Sequence, residues 1–388
     1  MWPKNERQAG LLALAQSLAP KFAERAAEHD REGSFPFENF EELRRSGYTA
    51  ASVPEEYGGG GYGLDDVALA HLALAKGDGS TAIGLAMHLM LCGGEGQARN
   101  WPEAARARIF DAVVRDGALI NNAAAEPELG SPQGGGRPRT TVTPDGPGRW
   151  RLSGHKTFTT LAPALTYFDA YVAVEDGSGD TARVAVHRDL PGVRVEQTWD
   201  ALGMRASGSD DVHFDGVAVS DDDFLSRSSP GSRREATQNA WFPILVGATS
   251  LGIAEAARDH AVRFARERQP LGDAVPIASI PHVREQIGRI DATVMAARAL
   301  LLQAAEDWEQ HPDKRAGMGP PVAAAKRLAT NSAVEVVEIA MRIVGGVALY
   351  RSEPLERYFR DVRSGLVNPP IEARALETIA RAALDDPE

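Results

Sequence analysis

Residues Asn121 to Thr160 combine the side-chain types and spacing that most plainly serve chemistry. A-A-E-P-E-L-G-S (Ala124 to Ser131) is followed by a spacer, P-Q-G-G-G-R-P-R, and further on by L-S-G-H-K-T-F-T-T (Leu152 to Thr160). The two flanking segments read as strand ends, small or β-branched and broken at Glu126-Pro127 and Ser153-Gly154. Glycine and proline exclude regular structure from the spacer, which reads as a turn or loop. Small side chains and hydroxyls let a large planar ligand approach the backbone, and Phe158 offers it an aromatic face. Two further residues could move a proton. His88 lies on an apolar helix beside Met87 and Met90, a setting in which a lone histidine is more often a satisfied core residue than a catalyst. Glu372 follows N-P-P and opens I-E-A-R-A-L-E-T-I-A, whose composition is helical, so its carboxylate stands in a first turn where the helix dipole keeps it ionised.

The elements that must position these residues fall into three blocks. Residues 6 to 115 read as helical: Leu11, Leu12, Leu14, Ala15, Leu18 and Ala19 form a stripe at helical spacing, and Phe40, Leu43 and Tyr48 continue the theme. Pro36, Pro54 and the glycines at 58–61 punctuate this block, and Leu64 to Ala75 and Ser80 to Leu91 form two further helices. Between 116 and 228 the pattern turns to short strands at Leu119-Ile120, Trp150-Leu152, Tyr167-Val174, Ala182-His187, Val193-Glu196 and Asp211-Val219. Turn clusters such as P-D-G-P-G and D-G-S-G-D separate them, the signature of a β-barrel or sandwich. Residues 236 to 309 and 320 to 349 return to long alanine-rich helices, with a break at Pro281 and a loop from His311 to Pro321.

Composition narrows the function classes. A chain of 388 residues, 43% hydrophobic and 25% charged, has ample material for a core in two or three subdomains. Its net charge of −12 argues against nucleic acid and anionic membrane as partners. An anionic ligand must therefore be met by local arginines, lysines and helix N-termini. The single cysteine, Cys92, excludes an internal disulfide and fits a reducing compartment. No run approaches the ~18 apolar residues of a membrane span and the N-terminus lacks a signal pattern, so the expected location is the cytoplasm.

Five motifs in a fixed order, the paired Ala124–Ser131 and Gly154–Thr160 segments counted as one, resemble the acyl-CoA dehydrogenase family. V-P-E-E-Y-G-G (Val53 to Gly59) matches a helix-ending turn, and the Ala124–Ser131 and Gly154–Thr160 segments match the family's A-x-T-E-P-x-x-G-S-D and G-x-K-x-W-I-T. Gly203 to Val219 resembles its G-x-R-G-S stretch, R-E-R-Q-P-L-G (Arg266 to Gly272) its R-x-x-F-G, and Val344 to Gly346 its Q-x-x-G-G turn. The resemblance implies an α+β fold with an N-terminal helical domain (1–117), a middle β-barrel (118–230) and a C-terminal four-helix bundle (231–388). It implies FAD, with Ala124, Ala125 and Thr160 against the flavin ring, Phe158 stacked on it and Ser131 at the pyrophosphate. From a neighbouring subunit of a homotetramer or homodimer, Arg268 would reach the pyrophosphate, with Leu271, Arg342, Gly345 and Gly346 around the cofactor. Ala125 stands where the pattern has Thr, Pro132 where it has Asp, Phe158 where it has Trp, Leu271 where it has Phe, and Arg342 where it has Gln.

The same resemblance implies α,β-dehydrogenation of an acyl-CoA or other acyl thioester, with electron-transfer flavoprotein or oxygen as acceptor. That reaction needs a carboxylate over the α-carbon. In most of the family it follows R-D by eight residues. Here Arg360-Asp361 is present, yet the count falls on Pro369; at the alternative place, on the helix opening the C-terminal domain, stand Trp241 and Phe242. Three readings stay open: Glu372 as the base after a three-residue shift, a flavin monooxygenase or oxidase in which His88 is a pocket residue, or a non-catalytic flavoprotein.

Overall fold

The computed structural model describes residues 3–128, 136–230, 239–272 and 274–385. The N-terminal block is helical: α1 (Glu6–Glu32), α2 (Phe37–Arg45), α3 (Leu64–Ala75), α4 (Gly79–Ala98) and α5 (Glu103–Asp116). The stripe expected on α1 is the buried one, with Leu11, Ala15, Leu18 and Ala19 inside and Leu12 and Leu14 half-buried. Asn5 opens the helix by accepting the Gln8 N–H at 2.8 Å, satisfying one of its free first-turn donors.

Among the described residues eight strands follow: β1 (Ile120–Ala123), β2 (Thr141–Pro144), β3 (Arg149–Thr159), β4 (Tyr167–Val174), β5 (Thr181–His187), β6 (Val193–Glu196), β7 (Asp210–Ser220) and β8 (Phe224–Ser228). They hydrogen-bond in the order β6-β7-β3-β2-β4-β5-β8, with β1 also on β4. Expected strands at 167–174, 182–187, 193–196 and 211–219 are present, whereas β2 and β8 escape the sequence pattern. The first has one buried residue, Val142, and ends in a proline, and the second is F-L-S-R-S, with only Leu225 buried. Alternation sends Leu152, Phe168, Ala170, Val172, Val184, Val212 and Phe214 inward.

The C-terminal block holds α6 (Trp241–Glu267), α7 (Pro281–Gln310), α8 (Gly319–Val344), the shorter α9 (Pro354–Asp361) and α10 (Ser364–Val367), and α11 (Glu372–Leu384). Helix α6 is buried along most of its first five turns because α3, α4, α7 and α8 all pack on it. A polar clamp joins the three blocks. Arg360 on α9 forks onto Asp30 of α1 at 2.9 and 2.6 Å and donates to Leu202 O at 3.1 Å, while Asp361 accepts the Met204 N–H at 2.6 Å. Gly203 is glycine for want of room: a Cβ there would sit 2.5 Å from Arg360 O.

Candidate functional site

Strands β1 and β2 lie end to end along β4. The first pairs Ile120 to Ala123 with Tyr167 to Ala170, and the second pairs Thr141 and Val142 with Ala173 and Val174. The chain between them leaves the ladder, and its Ala124-Ala125-Glu126 portion is fixed to β3 by two devices. One is a backbone bond from Thr157 N–H to Ala125 O at 3.0 Å. The other is a buried carboxylate. Glu126 accepts from Lys156 Nζ at 2.7 Å and from the N–H groups of Arg139 and Thr140 at 2.8 and 2.9 Å. Burial by itself would raise the Glu126 pKa, but the ammonium and the two backbone donors outweigh it and hold it at about 2. Lys156, wholly buried, also donates to Tyr171 O at 2.5 Å. The pair therefore staples both motif segments to β4.

Above this staple the surface presents an unusual set of groups. Phe158 takes a left-handed backbone conformation, φ 52°, at a cost on the order of 1 kcal/mol, which turns its ring outward to 64% exposure. Trp199 holds it edge-on at 5.8 Å between centroids and is itself fixed by an indole N–H bond to Met204 O. Thr160 ends a hydroxyl chain, 2.9 Å from Ser209 Oγ, which is 2.8 Å from Ser207 Oγ, and Asn121 Nδ2 donates to Thr160 O at 2.8 Å. Ala124 and Ala125 are half-buried, so their backbone borders solvent. A braced aromatic face beside small residues and a fixed hydroxyl fits a planar ring with a polar edge, as a flavin is. Ser131 and Pro132 lie outside the described residues.

The remaining cofactor candidates stand on the C-terminal helices. Arg268 closes α6 and is exposed, Leu271 is fully exposed, and Gly345 and Gly346 have open space at their Cα atoms. Arg342 is exposed, 3.8 Å from Glu338. Among the described residues no hydrogen bond or ion pair joins these five to the Ala124–Thr160 surface within the chain.

Neither proton-transfer candidate stands free. His88 is buried, and both ring nitrogens are used: Nδ1 accepts from Ile120 N–H at 3.2 Å and Nε2 donates to Thr49 O at 2.8 Å. Burial pushes its pKa down to about 4, so it stays neutral and ties α4 to β1. A histidine bonded on both sides in this way has the setting of a satisfied core residue. Glu372 is the first residue of α11, half exposed, and its Oε1 lies 2.7 Å from Arg327. Pro369 sits in a turn whose carbonyls at Gly365, Asn368 and Pro370 accept from Lys326 Nζ at 2.7, 2.8 and 3.1 Å. Lys326 is buried, and burial lowers its pKa to about 8. Trp241 is buried with its indole on Gly93, where a Cβ would lie 2.4 Å away. Its N–H and that of Trp308 both donate to Gln97 Oε1, at 3.1 and 2.9 Å. Phe242 packs half-buried against the core.

Glu126 and Lys156 were visible in the sequence as motif letters without a partnership. Lys326, inside A-A-A-K-R-L-A, reads as a solvated helix lysine and gives no signal of its role.

The fold defines a three-part protein of helical, sheet and helical domains, with a surface on its middle domain whose groups suit a planar ring. The chain belongs to the acyl-CoA dehydrogenase family: its N-terminal domain matches residues 5–115, its middle domain 121–217 and its C-terminal domain 244–367. It is 39% identical to a putative acyl-CoA dehydrogenase, YdbM of Bacillus subtilis, over 98% of both chains. It is 36% identical to the L-evernosamine nitrososynthase of a Micromonospora species, covering 91% of this chain and 84% of that one. A solved structure of KijD3 with FMN and dTDP-3-amino-2,3,6-trideoxy-4-keto-3-methyl-D-glucose superposes with a TM-score of 0.84 at 31% identity, covering 100% of this chain and 96% of the other. The protein is accordingly an enzyme of the acyl-CoA dehydrogenase superfamily with a flavoprotein fold. No helix among the described residues is long and apolar enough to cross a membrane.

Proposed function

We propose that the protein is a flavin-dependent monooxygenase that oxygenates an amine or a small aromatic substrate. One observation carries this reading. The two places where the family's dehydrogenases set a carboxylate over the acyl thioester hold Pro369 and the Trp241-Phe242 pair, and the nearest loop carboxylate, Glu372, is engaged by Arg327. Its similarity to a nitrososynthase, a name that denotes oxygenation at nitrogen, supports the same direction. A bound flavin, once reduced, supplies the oxygen-activating chemistry.

The chain's own residues bind and orient. Phe158 offers the stacking face, the backbone at Ala124 and Ala125 and the Thr160 hydroxyl meet the ring's polar edge, and Trp241 fills the interior beside α4. In a homodimer or homotetramer, Arg268 of a second copy meets the pyrophosphate, with Leu271, Arg342, Gly345 and Gly346 beside it. That arrangement favours FAD over FMN, and the cytoplasm is where such an enzyme with one cysteine works. The test supplies the protein with flavin reduced by NAD(P)H and a reductase, oxygen and a panel of amines and aromatics. Oxygen uptake with one oxygen added to the substrate is expected; anaerobic bleaching of the flavin by an acyl-CoA overturns the reading.

The second reading is α,β-dehydrogenation of an acyl thioester with Glu372 as base and electron-transfer flavoprotein or oxygen as acceptor. It is favoured by the place of Glu372, three residues beyond Pro369 at the mouth of α11, in an exposed ion pair that costs little to open. On this reading Glu372→Gln slows anaerobic flavin reduction by ~10²–10⁴-fold. Unchanged reduction removes Glu372 from the chemistry.

A further inference from the structure

The outward face of the sheet carries a second constellation, on strands β3, β6 and β7. Register sets His155 directly opposite His213 across β3 and β7, and Glu196 opposite Asp211 across β6 and β7. Since side chains alternate along a strand, all four project from the face opposite the buried Lys156, Val212 and Phe214. One ligand atom from each of His155, Asp211 and His213 lies within 4.8 Å of the other two. Asp211 Oδ2 is 2.6 Å from His155 Nε2, and the two imidazoles stack 4.2 Å apart with 14° between their planes. Glu196 Oε2 is 3.0 Å from His213 Nε2. The four side chains are partly exposed, so an ion from solvent can reach them.

We infer that His155, Asp211 and His213 form a site for one divalent transition-metal ion of the zinc class, with Glu196 available as a fourth ligand. The donor set decides the class. Two imidazole nitrogens with carboxylate oxygens suit zinc, cobalt, nickel or copper, whereas calcium and magnesium prefer oxygen alone. Zinc bonds of about 2.0–2.2 Å at tetrahedral angles place donors roughly 3.3 Å apart. The widest present spacing, at most 4.8 Å, must therefore contract by about 1.5 Å while the 2.6 Å Asp211–His155 contact opens by about 0.7 Å, shifts that the two rings could take up by turning about Cβ–Cγ above a fixed cross-strand pair. One outer partner already fixes the backbone that carries the carboxylate: the Asp211 N–H donates to Thr198 Oγ1 at 3.1 Å. Arg194 works against the fourth ligand, since its guanidinium holds Glu196 at 2.7 Å. The ion would join edge strand β6 to β7 and β3, three residues from Phe158.

The test is calorimetric titration of chelator-stripped protein with zinc sulfate, with cobalt(II) absorption as a second readout. The expected result is one equivalent in wild type, tetrahedral cobalt bands, and binding weakened by more than about tenfold in His155→Ala and in His213→Ala. Arg194→Ala should bind more tightly, and His282→Ala, on exposed α7 surface, should bind as wild type does. All four positions are on the surface, and shared melting curves establish that the variants fold. Equal stoichiometry and affinity in wild type and a His155→Ala/His213→Ala double variant overturns the site, as does the absence of binding at about millimolar zinc.

Discussion

Glu126 does more for the candidate site than any residue that faces it. Its carboxylate satisfies Lys156 and two backbone donors in a region closed to water, so the two motif segments cannot separate without exposing an unpaired charge. Lys156→Met should therefore cost ~3–5 kcal/mol in urea unfolding, the usual penalty for stranding a buried charge. The double variant Glu126→Gln/Lys156→Met should recover part of it, and a double variant no better than the single one removes the ion pair as the cause. The pH dependence has a definite sign. The folded-state pKa of about 2 lies below the ordinary 4.5, so this stabilisation is complete above about 4.5 and is lost as pH falls toward 2. Phe158 makes the opposite kind of case. Its ring is 64% exposed, so Phe158→Ala should leave unfolding nearly unchanged while weakening flavin retention by ~2–10-fold, the equivalent of an aromatic contact worth 0.5–1.5 kcal/mol. Equal retention in a flavin titration would remove Phe158 from the binding face. At this scale the sequence offered identities without relationships. Phe158 and Thr160 could be read from type and order, but the links from His88 to Thr49 and Ile120 span distances in sequence that no local pattern encodes.

Elements follow the same division between what periodicity reveals and what only packing decides. Strands β4, β5 and β7 bury long alternating or continuous apolar runs and were legible. Strands β2 and β8 bury one residue each and exist because a neighbouring strand offers an edge, so nothing in their own composition announces them. The long helices were legible from their apolar stripes, whereas the tight approach of α4 to α6 rests on glycines, Gly79 against Ile253 and Gly93 against Trp241. At Gly93 a methyl would enter the Trp241 ring, and that ring is buried and held by Gln97, so it cannot swing aside. Gly93→Ala should cost ~1–3 kcal/mol as overpacking and shift Trp241 fluorescence. An unshifted melting temperature would show that α4 can slide to make room. The turn from α10 to α11 depends on Lys326 in the same way. Its ammonium is the shared donor of three carbonyls, and each carbonyl left without a partner costs ~1–3 kcal/mol when buried. Lys326→Met should accelerate amide exchange across 364–371 ahead of the flanking helices; uniform exchange would mean that packing alone holds the turn.

At the scale of the whole molecule the three blocks meet at a few polar contacts, and the R-D pair that serves as a ruler for the missing base turns out to sit at their junction. Gly203, Met204 and Arg205 come from the segment leading into β7, Asp30 from α1 and Arg360-Asp361 from α9. Short bonds join all three. Each piece was a legible motif, but their meeting depends on the docking of separate domains and has no sequence period. Asp361 gives this junction a measurable handle. It is entirely buried, and burial pushes its pKa up to about 7 although the Met204 N–H and nearby Arg357 oppose the rise. Between the ordinary value of 3.8 and 7 the folded protein keeps a proton that the unfolded chain has released. The resulting stabilisation is complete below about 3.8 and is lost as pH rises through 7. Asp361→Asn keeps an oxygen for the Met204 N–H and cannot ionise. It carries a constant offset from the changed field at Arg357, but its stability relative to wild type should climb by a few kcal/mol, at most ~4, between about pH 4 and pH 8. Urea unfolding of both proteins at several pH values measures that difference. A difference that stays flat across the range means that Asp361 is already ionised at the bottom of it, held by Arg357, and that the junction is a charged clamp throughout.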